Sequence, residues 1–265
     1  MDIRAPARHP SGWGIAAAFA GVAALAWVAT VEGMGERGMG SRFAPGGAAS
    51  FLGLWVAMMA AMMFPSAWPV MRMYALVAAR RPAAGWARNG RLAVFAGGYL
   101  LAWAGVGVVA YGLLAALSAT SVADWSNARV AAWIVAPAAA LAAVYQWTPL
   151  KRVCLRHCRS PLAFLLGGWR DGIGGSLRLG LSHGSYCIGC CWMLMVTVLA
   201  LGVMSTTWMA IAAAAIAVEK LDLLPRRAGS AVVGLGFAAL AVLALADPGL
   251  LPGFGAAGMP AGHGM

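Results

Sequence analysis

The sequence predicts an all-α membrane protein, a polytopic bundle of about seven transmembrane helices with the N-terminus inside and the C-terminus outside. Three observations predict this fold. Of the 265 residues, 62% are hydrophobic and 10% are charged, whereas about a quarter of the residues in a soluble domain are charged. Seven apolar stretches are long enough to cross a hydrocarbon core of about 30 Å as helices. The basic residues fall almost entirely on one side of the resulting topology.

The seven predicted spans are continuous apolar runs, unlike the alternating strands of a membrane β-barrel. Helices are expected because backbone groups in lipid must be hydrogen-bonded within their own segment. The first run is longer than the apolar core of a signal peptide and has no clear cleavage site after it, so we expect a retained helix. The spans cover Trp13–Val31, Ala48–Met71, Leu92–Leu117, Val130–Trp147, Leu181–Val203, Thr206–Leu224 and Ala228–Ala246.

The distribution of basic residues gives the predicted orientation. With the N-terminus inside, 16 of the 19 Lys and Arg residues lie in inside segments, and Arg37, Arg42 and Arg129 lie outside. Such an imbalance is the positive-inside pattern of multi-pass membrane proteins. The apolar segment Pro161–Gly168 is too short to span and is expected to be interfacial or re-entrant.

The predicted domain organisation is a single transmembrane helical domain over residues 1–246 and a flexible extracytoplasmic tail over residues 247–265. The net charge of +11 is attributed to membrane-anchoring loops, so no nucleic acid partner is expected. The sequence has no P-loop, dinucleotide fingerprint or nucleophile elbow, and its 8 Asp and Glu residues are too few for paired-carboxylate hydrolysis. These absences favour a protein that is not an enzyme.

The most unusual segment is in the predicted fifth span and contains His183, Cys187, Cys190 and Cys191. Residues three or four apart share a helix face, so the first three form one stripe, with Cys191 and Met195 at its edge. Thiolate, thioether and imidazole favour Cu(I), and thiolate with imidazole also suits zinc. We interpret the segment as a metal site, because a histidine inside a span is usually functional. The alternative is close helix packing through small side chains.

Four methionines of the predicted second span form another group of soft donors. Met58, Met59, Met62 and Met63 form two i, i+4 pairs, although such stripes are usually core packing. The helical rise places Met62 about 15 Å from the inside boundary, and Cys187–Cys191 about 14–20 Å from it. These thioethers are therefore candidate metal ligands if the two helices are neighbours.

A candidate secondary thiol site follows the fourth span, in the basic segment that contains Cys154, His157 and Cys158. The flanking cations are expected to lower the pKa of the thiols. Two cysteines are too few for a structural zinc site, which has four ligands. A metal-receiving or redox-active pair and an incidental basic loop remain alternatives.

The adjacent residues Glu219 and Lys220 end the sixth span on the inside. We interpret them as structural residues that anchor the helix. Neighbouring charged groups or Arg178 are the expected partners.

These motifs resemble a bacterial family described as predicted metal-binding integral membrane proteins. The resemblance covers about residues 50–225 and is most specific at Cys187–Trp192. It implies a multi-pass protein of the bacterial inner (cytoplasmic) membrane with a metal site, and it implies no particular activity. The matching positions are Trp55–Ser66, Tyr145–Lys151, Cys154–Pro161, Gly180–Met195, Gly202, Met204, Trp208, Met209, Glu219 and Lys220.

The sequence thus predicts a soft-metal-binding membrane protein, with Cu(I) favoured and zinc as the other candidate, that acts in metal transport, delivery or cofactor assembly. One alternative is a membrane thiol–disulfide oxidoreductase, in which Cys187 pairs with Cys190 or Cys191 and Cys154 pairs with Cys158. The other is a non-catalytic scaffold subunit of a membrane complex. The expected partners are the lipid bilayer and metal-delivery or membrane-complex proteins.

Overall fold

The computed structural model describes residues 12–35, 47–80, 85–119, 128–201 and 206–247. This part of the chain is all-helical, with nine helices and no strand, which confirms that the fold class is all-α. The helices are α1 (Gly12–Gly35), α2 (Ala48–Ala79), α3 (Gly85–Ala119), α4 (Ala128–Tyr145), α5 (Pro149–Arg159), α6 (Pro161–Gly168), α7 (Gly172–Ala200), α8 (Thr206–Lys220) and α9 (Arg226–Ala246).

Among the described residues, four helical segments are long and apolar enough to cross a membrane: Ala48–Ala79, Asn89–Leu117, Gly172–Ala200 and Ala228–Ala246. Each overlaps one of the seven predicted spans. Helices also coincide with the other three predicted spans, but α1 and α4 have shorter apolar stretches, and the 15 residues of α8 rise only about 22 Å. The count of seven spans and their orientation therefore stay predictions.

The chain between α4 and α7 is helical rather than an irregular basic loop. Helix α5 begins after Thr148, whose side chain accepts a hydrogen bond from Lys151 N at 3.3 Å, and Pro149 occupies its first turn. Both residues favour a helix start. The short apolar segment Pro161–Gly168 is α6, with eight residues. Thr148 and Pro149 are the local sequence signals for the start of α5.

Helix α7 begins at Gly172, well before the predicted start at Leu181. The extra residues include several glycines, which have low helix propensity. The close approach of α3 supports this extension: a Cβ on Gly180 would lie 2.1 Å from Phe95 O, and one on Gly98 of α3 would lie 2.7 Å from Leu177 O. Tertiary packing therefore extends α7 beyond its apolar run.

The close packing of α3 against α7 also aligns the site. A Cβ on Gly184 would lie 3.0 Å from Tyr99 O and 2.7 Å from Ala102 Cβ. Small residues let two membrane helices approach at backbone distance. The approach brings Tyr99 of α3 against the cysteine-bearing face of α7.

The largest buried cluster combines side chains from α1, α2, α3, α5, α6, α7 and α8 and contains all five cysteines of the chain. A smaller cluster joins α4, α7 and α9. Some predicted features lie outside the described residues: Arg37, Arg42, the end of the fifth span at Val203, and the tail after Asp247. The domain boundary at residue 246 stays a prediction.

Candidate metal centre

Three cysteines of α7 form a compact buried group. The Sγ atoms of Cys187, Cys190 and Cys191 all lie within 4.8 Å of one another, and each residue is at most 1% exposed. Sulfurs that bind one zinc ion at about 2.3 Å are about 3.8 Å apart at tetrahedral angles, and the Sγ atoms of Cys187 and Cys191 are 4.0 Å apart. The group therefore has the size for a single soft ion.

One of the four candidate methionines contacts this group. The Sδ atom of Met63 in α2 lies 4.0 Å from Cys187 Sγ, so α2 and α7 contribute to one cluster, as the depth of both groups suggested. Met58, Met59 and Met62 are also buried, but they make no comparable sulfur contact within the described part of the chain. Their role as ligands stays a prediction.

The candidate secondary thiol site is divided in the structure. Cys158 Sγ lies 3.9 Å from Cys190 Sγ, so this thiol adjoins the main group. Cys154 packs on α7 at Gly189, where a Cβ would lie 2.5 Å from its Sγ. His157 stacks on Tyr186 with ring centroids 4.0 Å apart, and its Nδ1 lies 2.9 Å from Val153 O. The three residues therefore do not converge on one ion.

The expected effect of the flanking cations on these thiols is wrong. Burial raises the pKa of Cys154, and the contact with Cys190, together with burial, raises the pKa of Cys158. Both thiols lie on the face of α5 that is turned to the core, whereas Arg152 and Arg156 lie on the exposed face. Loss of water around the thiols therefore outweighs the solvent-screened cations.

His183 is buried among aromatic rings rather than among the sulfurs. Its ring centroid lies 5.2 Å from that of Phe164, 5.6 Å from that of Tyr99 and 6.3 Å from that of Phe95. Its Nδ1 is buried without a hydrogen-bond partner in the structure. His183 is not part of the three-cysteine group, and its role as a ligand stays a prediction.

Two polar residues also reach the site: Lys220, which was predicted to be a structural helix anchor, and Tyr99, which the sequence patterns did not single out. Lys220 Nζ of α8 lies 2.8 Å from Cys187 Sγ and 3.9 Å from Met63 Sδ. The hydroxyl of Tyr99 lies 2.9 Å from the same Cys187 sulfur. The sequence did contain a signal for Lys220, since an ionisable residue inside a predicted span usually marks a functional site; for Tyr99 there was none.

Glu219 has the structural role expected of it, but with a different partner. Both of its carboxylate oxygens accept hydrogen bonds from Lys151 Nζ at 2.8 Å, and both residues are at most 2% exposed. Lys151 also donates to Gln146 Oε1. Arg178, one of the expected partners, lies on the exposed surface of α7. The neighbouring Lys220 is directed at the sulfurs instead.

Both ends of helix α5 form polar contacts with the C-terminal end of α8. Lys151 makes the buried ion pair with Glu219 near the start of α5. Near its end, Arg159 Nε donates to Glu219 O at 2.6 Å, and Arg159 Nη1 lies 3.0 Å from Asp222 Oδ1. These contacts hold Cys158 beside Cys190.

The assembled donors are thiols from α5 and α7 and a thioether from α2, all enclosed in the core. Soft sulfur donors select soft ions, above all Cu(I), and thiolates also bind zinc. The residues present therefore fit a copper or zinc ion. We call Met63, Cys187, Cys190 and Cys191 the sulfur cluster, and Cys158 adjoins it through Cys190.

Comparison with known proteins gives one finding. A family model described as "PpoB2: Copper chaperone" matches residues 52–244, a region that includes the whole sulfur cluster and Lys220. No curated protein and no solved structure matches the chain.

Proposed function

The chain belongs to the PpoB2 copper chaperone family, and on this premise we propose that it is a membrane-embedded chaperone that carries Cu(I) as cargo at the sulfur cluster. The observation that carries the proposal is the group of Cys187, Cys190 and Cys191, whose Sγ atoms lie within 4.8 Å of one another in the core. These thiols are the proposed primary ligands. Met63 completes the site, Cys158 adjoins it without being assigned as a ligand of the stored ion, and the cargo is handed to an acceptor protein for delivery or cofactor assembly.

The donor set supports Cu(I) over zinc. Structural zinc sites use thiolates and imidazoles in a closed tetrahedron, whereas a thioether such as Met63 is a ligand typical of Cu(I). The ammonium of Lys220, 2.8 Å from Cys187 Sγ, adds positive charge beside the thiolates. When two of the three cysteines are thiolates and the third stays protonated, a monovalent ion beside this ammonium gives the site no net charge, which suits burial.

The proposed location is the bacterial inner membrane, in the seven-span arrangement with the N-terminus inside. The outer surface of the bundle supports a lipid environment, since large apolar side chains such as Leu25, Val109 and Trp133 are at least 70% exposed. Such apolar exposure is unusual for a soluble monomer. The lipid bilayer is therefore a proposed partner, together with the protein that receives the metal.

The site assignment is tested by Cu(I) binding to the detergent-purified protein, in competition with a chromophoric Cu(I) chelator. We expect about one Cu(I) per chain, and we expect the triple variant Cys187→Ser, Cys190→Ser, Cys191→Ser to lose at least about 100-fold in affinity. Cys154→Ser is the matched control, because it removes another buried thiol of α5, one whose Sγ lies against Gly189. Unchanged copper binding by the triple variant, with an unchanged thermal unfolding midpoint, would refute the assignment.

A thiol–disulfide oxidoreductase is the second candidate, because Cys158 and Cys190 of two different helices have their sulfurs 3.9 Å apart. For this function the metal-free protein must cycle between dithiol and disulfide. Mixed disulfides trapped with partner proteins, together with a lack of Cu(I) binding, would favour it over the chaperone.

A further inference from the structure

Helix α5 has one face against the cluster and one face exposed. Its buried face consists of Lys151, Cys154, Leu155 and Cys158, where the two cysteines are one turn apart. The opposite face carries exposed basic residues such as Arg152. The helix lies outside the four segments that are long and apolar enough to span a membrane. It therefore lies between the cluster on its buried face and the surface of the bundle on its exposed face.

The cysteines differ in the exposed fraction of their surface. Cys154 is 8% exposed and Cys158 is 7% exposed, whereas Cys187 is fully buried and Cys190 is 1% exposed. Of the two cysteines of α5, Cys158 is the one whose Sγ contacts the cluster, 3.9 Å from Cys190 Sγ. Its exposed fraction is larger than that of the α7 thiols. A metal that arrives from the α5 side therefore meets Cys158 before it meets the thiols of α7.

We propose that Cys158 is the exchange ligand through which Cu(I) passes between a thiolate-bound donor or acceptor at the α5 surface and the sulfur cluster, an inference that rests on the proposed function. The partner is thus a copper carrier whose ligands are thiolates. The buried pair Lys151–Glu219 and the Arg159 contacts are the positioning elements, because they hold α5 at the spacing that Cys158 needs.

The transfer is a ligand exchange without a change of oxidation state. The Cys158 sulfur forms a bond to Cu(I) while the bond between Cu(I) and the donor thiolate breaks, and the Cys158 proton ends on the departing thiolate. A second exchange moves Cu(I) from Cys158 to Cys190, and the Cys190 proton ends on Cys158. Thiols must lose a proton to bind a metal, and each step here returns that proton to the sulfur that leaves.

The test compares two cysteines on the same face of α5. Metal-free protein in detergent is mixed rapidly with Cu(I)–glutathione, a thiolate-bound donor, and loading and later removal by a chelator are followed in time. We expect Cys158→Ser to slow both processes by about tenfold or more, equivalent to at least about 1.4 kcal/mol in the barrier, and still to reach about one Cu(I) per chain at equilibrium. Cys154→Ser, with nearly the same exposure, should load within about twofold of the unmodified rate.

Two results would overturn the proposal. Loading of Cys158→Ser at the unmodified rate would show that the metal uses another route. Loss of equilibrium binding in a folded Cys158→Ser variant would make Cys158 a permanent ligand instead of an exchange ligand. Cys158→Ala gives the same comparison if the serine hydroxyl destabilises the core. Failure of the proposed function itself is distinct, since the unmodified protein would then bind no Cu(I).

Discussion

Cys187 is the residue at which side chains from four helices meet. Its sulfur lies 2.8 Å from Lys220 Nζ of α8, 2.9 Å from the Tyr99 hydroxyl of α3 and 4.0 Å from Met63 Sδ of α2. Within α7 it lies 4.0 Å from Cys191 Sγ. Any ion bound at Cys187 therefore lies beside four elements of the bundle, which makes this cysteine the centre of the proposed site.

Met63 is the methionine of α2 whose sulfur lies beside Cys187. Met63→Leu removes the thioether beside Cys187, and we expect it to lower Cu(I) affinity by about tenfold, or about 1.4 kcal/mol. Chelator competition on the purified protein measures the effect. The exchange conserves volume and should cost less than about 1.5 kcal/mol in stability.

The matched control for this prediction is Met62→Leu. Met62 is equally buried and is the adjacent residue of α2, but it makes no comparable contact with Cys187. Its substitution should leave the affinity unchanged. Equal losses in the two variants would mean that the effect comes from packing rather than from the Met63 sulfur.

The cysteine stripe was predictable at the residue scale, but the contacts of Tyr99 and Lys220 with its Cys187 sulfur were not. Cys187, Cys190 and Cys191 are three and four residues apart, and helical geometry alone brings them together. Tyr99 and Lys220 reach the same sulfur from α3 and α8. No local periodicity relates residues that are so distant in the chain.

At the scale of helices, the close approach of α3 to α7 determines which side chains reach the cysteines. Glycines on α7 let the backbone of α3 come close, and this approach places Tyr99 against Cys187. Helix α5 reaches the cluster by different means, through the buried Lys151–Glu219 pair. Removal of one partner of such a pair typically destabilises a protein by about 3–5 kcal/mol, because it leaves the other charge buried without a partner.

Gly180→Ala tests the close approach of α3 and α7. Its new Cβ would lie 2.1 Å from Phe95 O, so the helices must separate, and we expect a destabilisation of about 1–3 kcal/mol, typical of overpacking. The thermal unfolding midpoint of the protein in detergent should fall. Cu(I) affinity should fall as well, because Tyr99 would move away from Cys187.

Gly105→Ala on α3 is the control for this variant, since a Cβ at this position would meet no neighbouring helix within 4 Å. Alanine has a higher helix propensity than glycine by about 1 kcal/mol. The substitution should therefore leave the midpoint unchanged or raise it. A similar fall in both variants would contradict the packing explanation.

The whole molecule combines an apolar outer surface with a sulfur-rich interior. Exposed leucine, valine and tryptophan side chains cover the bundle, and the largest buried cluster contains all five cysteines. Four described helical segments are long and apolar enough to cross a membrane. This distribution suits a protein that keeps a soft metal away from water inside a bilayer.

Reporter fusions test the predicted topology at this scale. Alkaline phosphatase is active only outside the cytosol, so fusions after Ser121 and Asp247 should be active. Fusions after Arg81 and Ser160 should be inactive, because the basic segments near these residues are predicted to lie inside. Green fluorescent protein fused at the same positions should give the opposite pattern. If the same reporter were active at both Arg81 and Ser121, these two residues would lie on one side of the membrane, which would contradict the seven-span arrangement.

By itself the sequence determined the helical class, the positions of the apolar helices and the cysteine stripe of α7. These features depend on local quantities, namely composition, run length and the helical period. Only the tertiary structure decided that Met63 rather than its neighbours meets Cys187, that Cys158 adjoins Cys190, and that Lys220 is directed at the sulfurs. Those contacts depend on how closely the helices approach one another, and the approach is set by glycine faces and a buried ion pair whose partners are far apart in the chain.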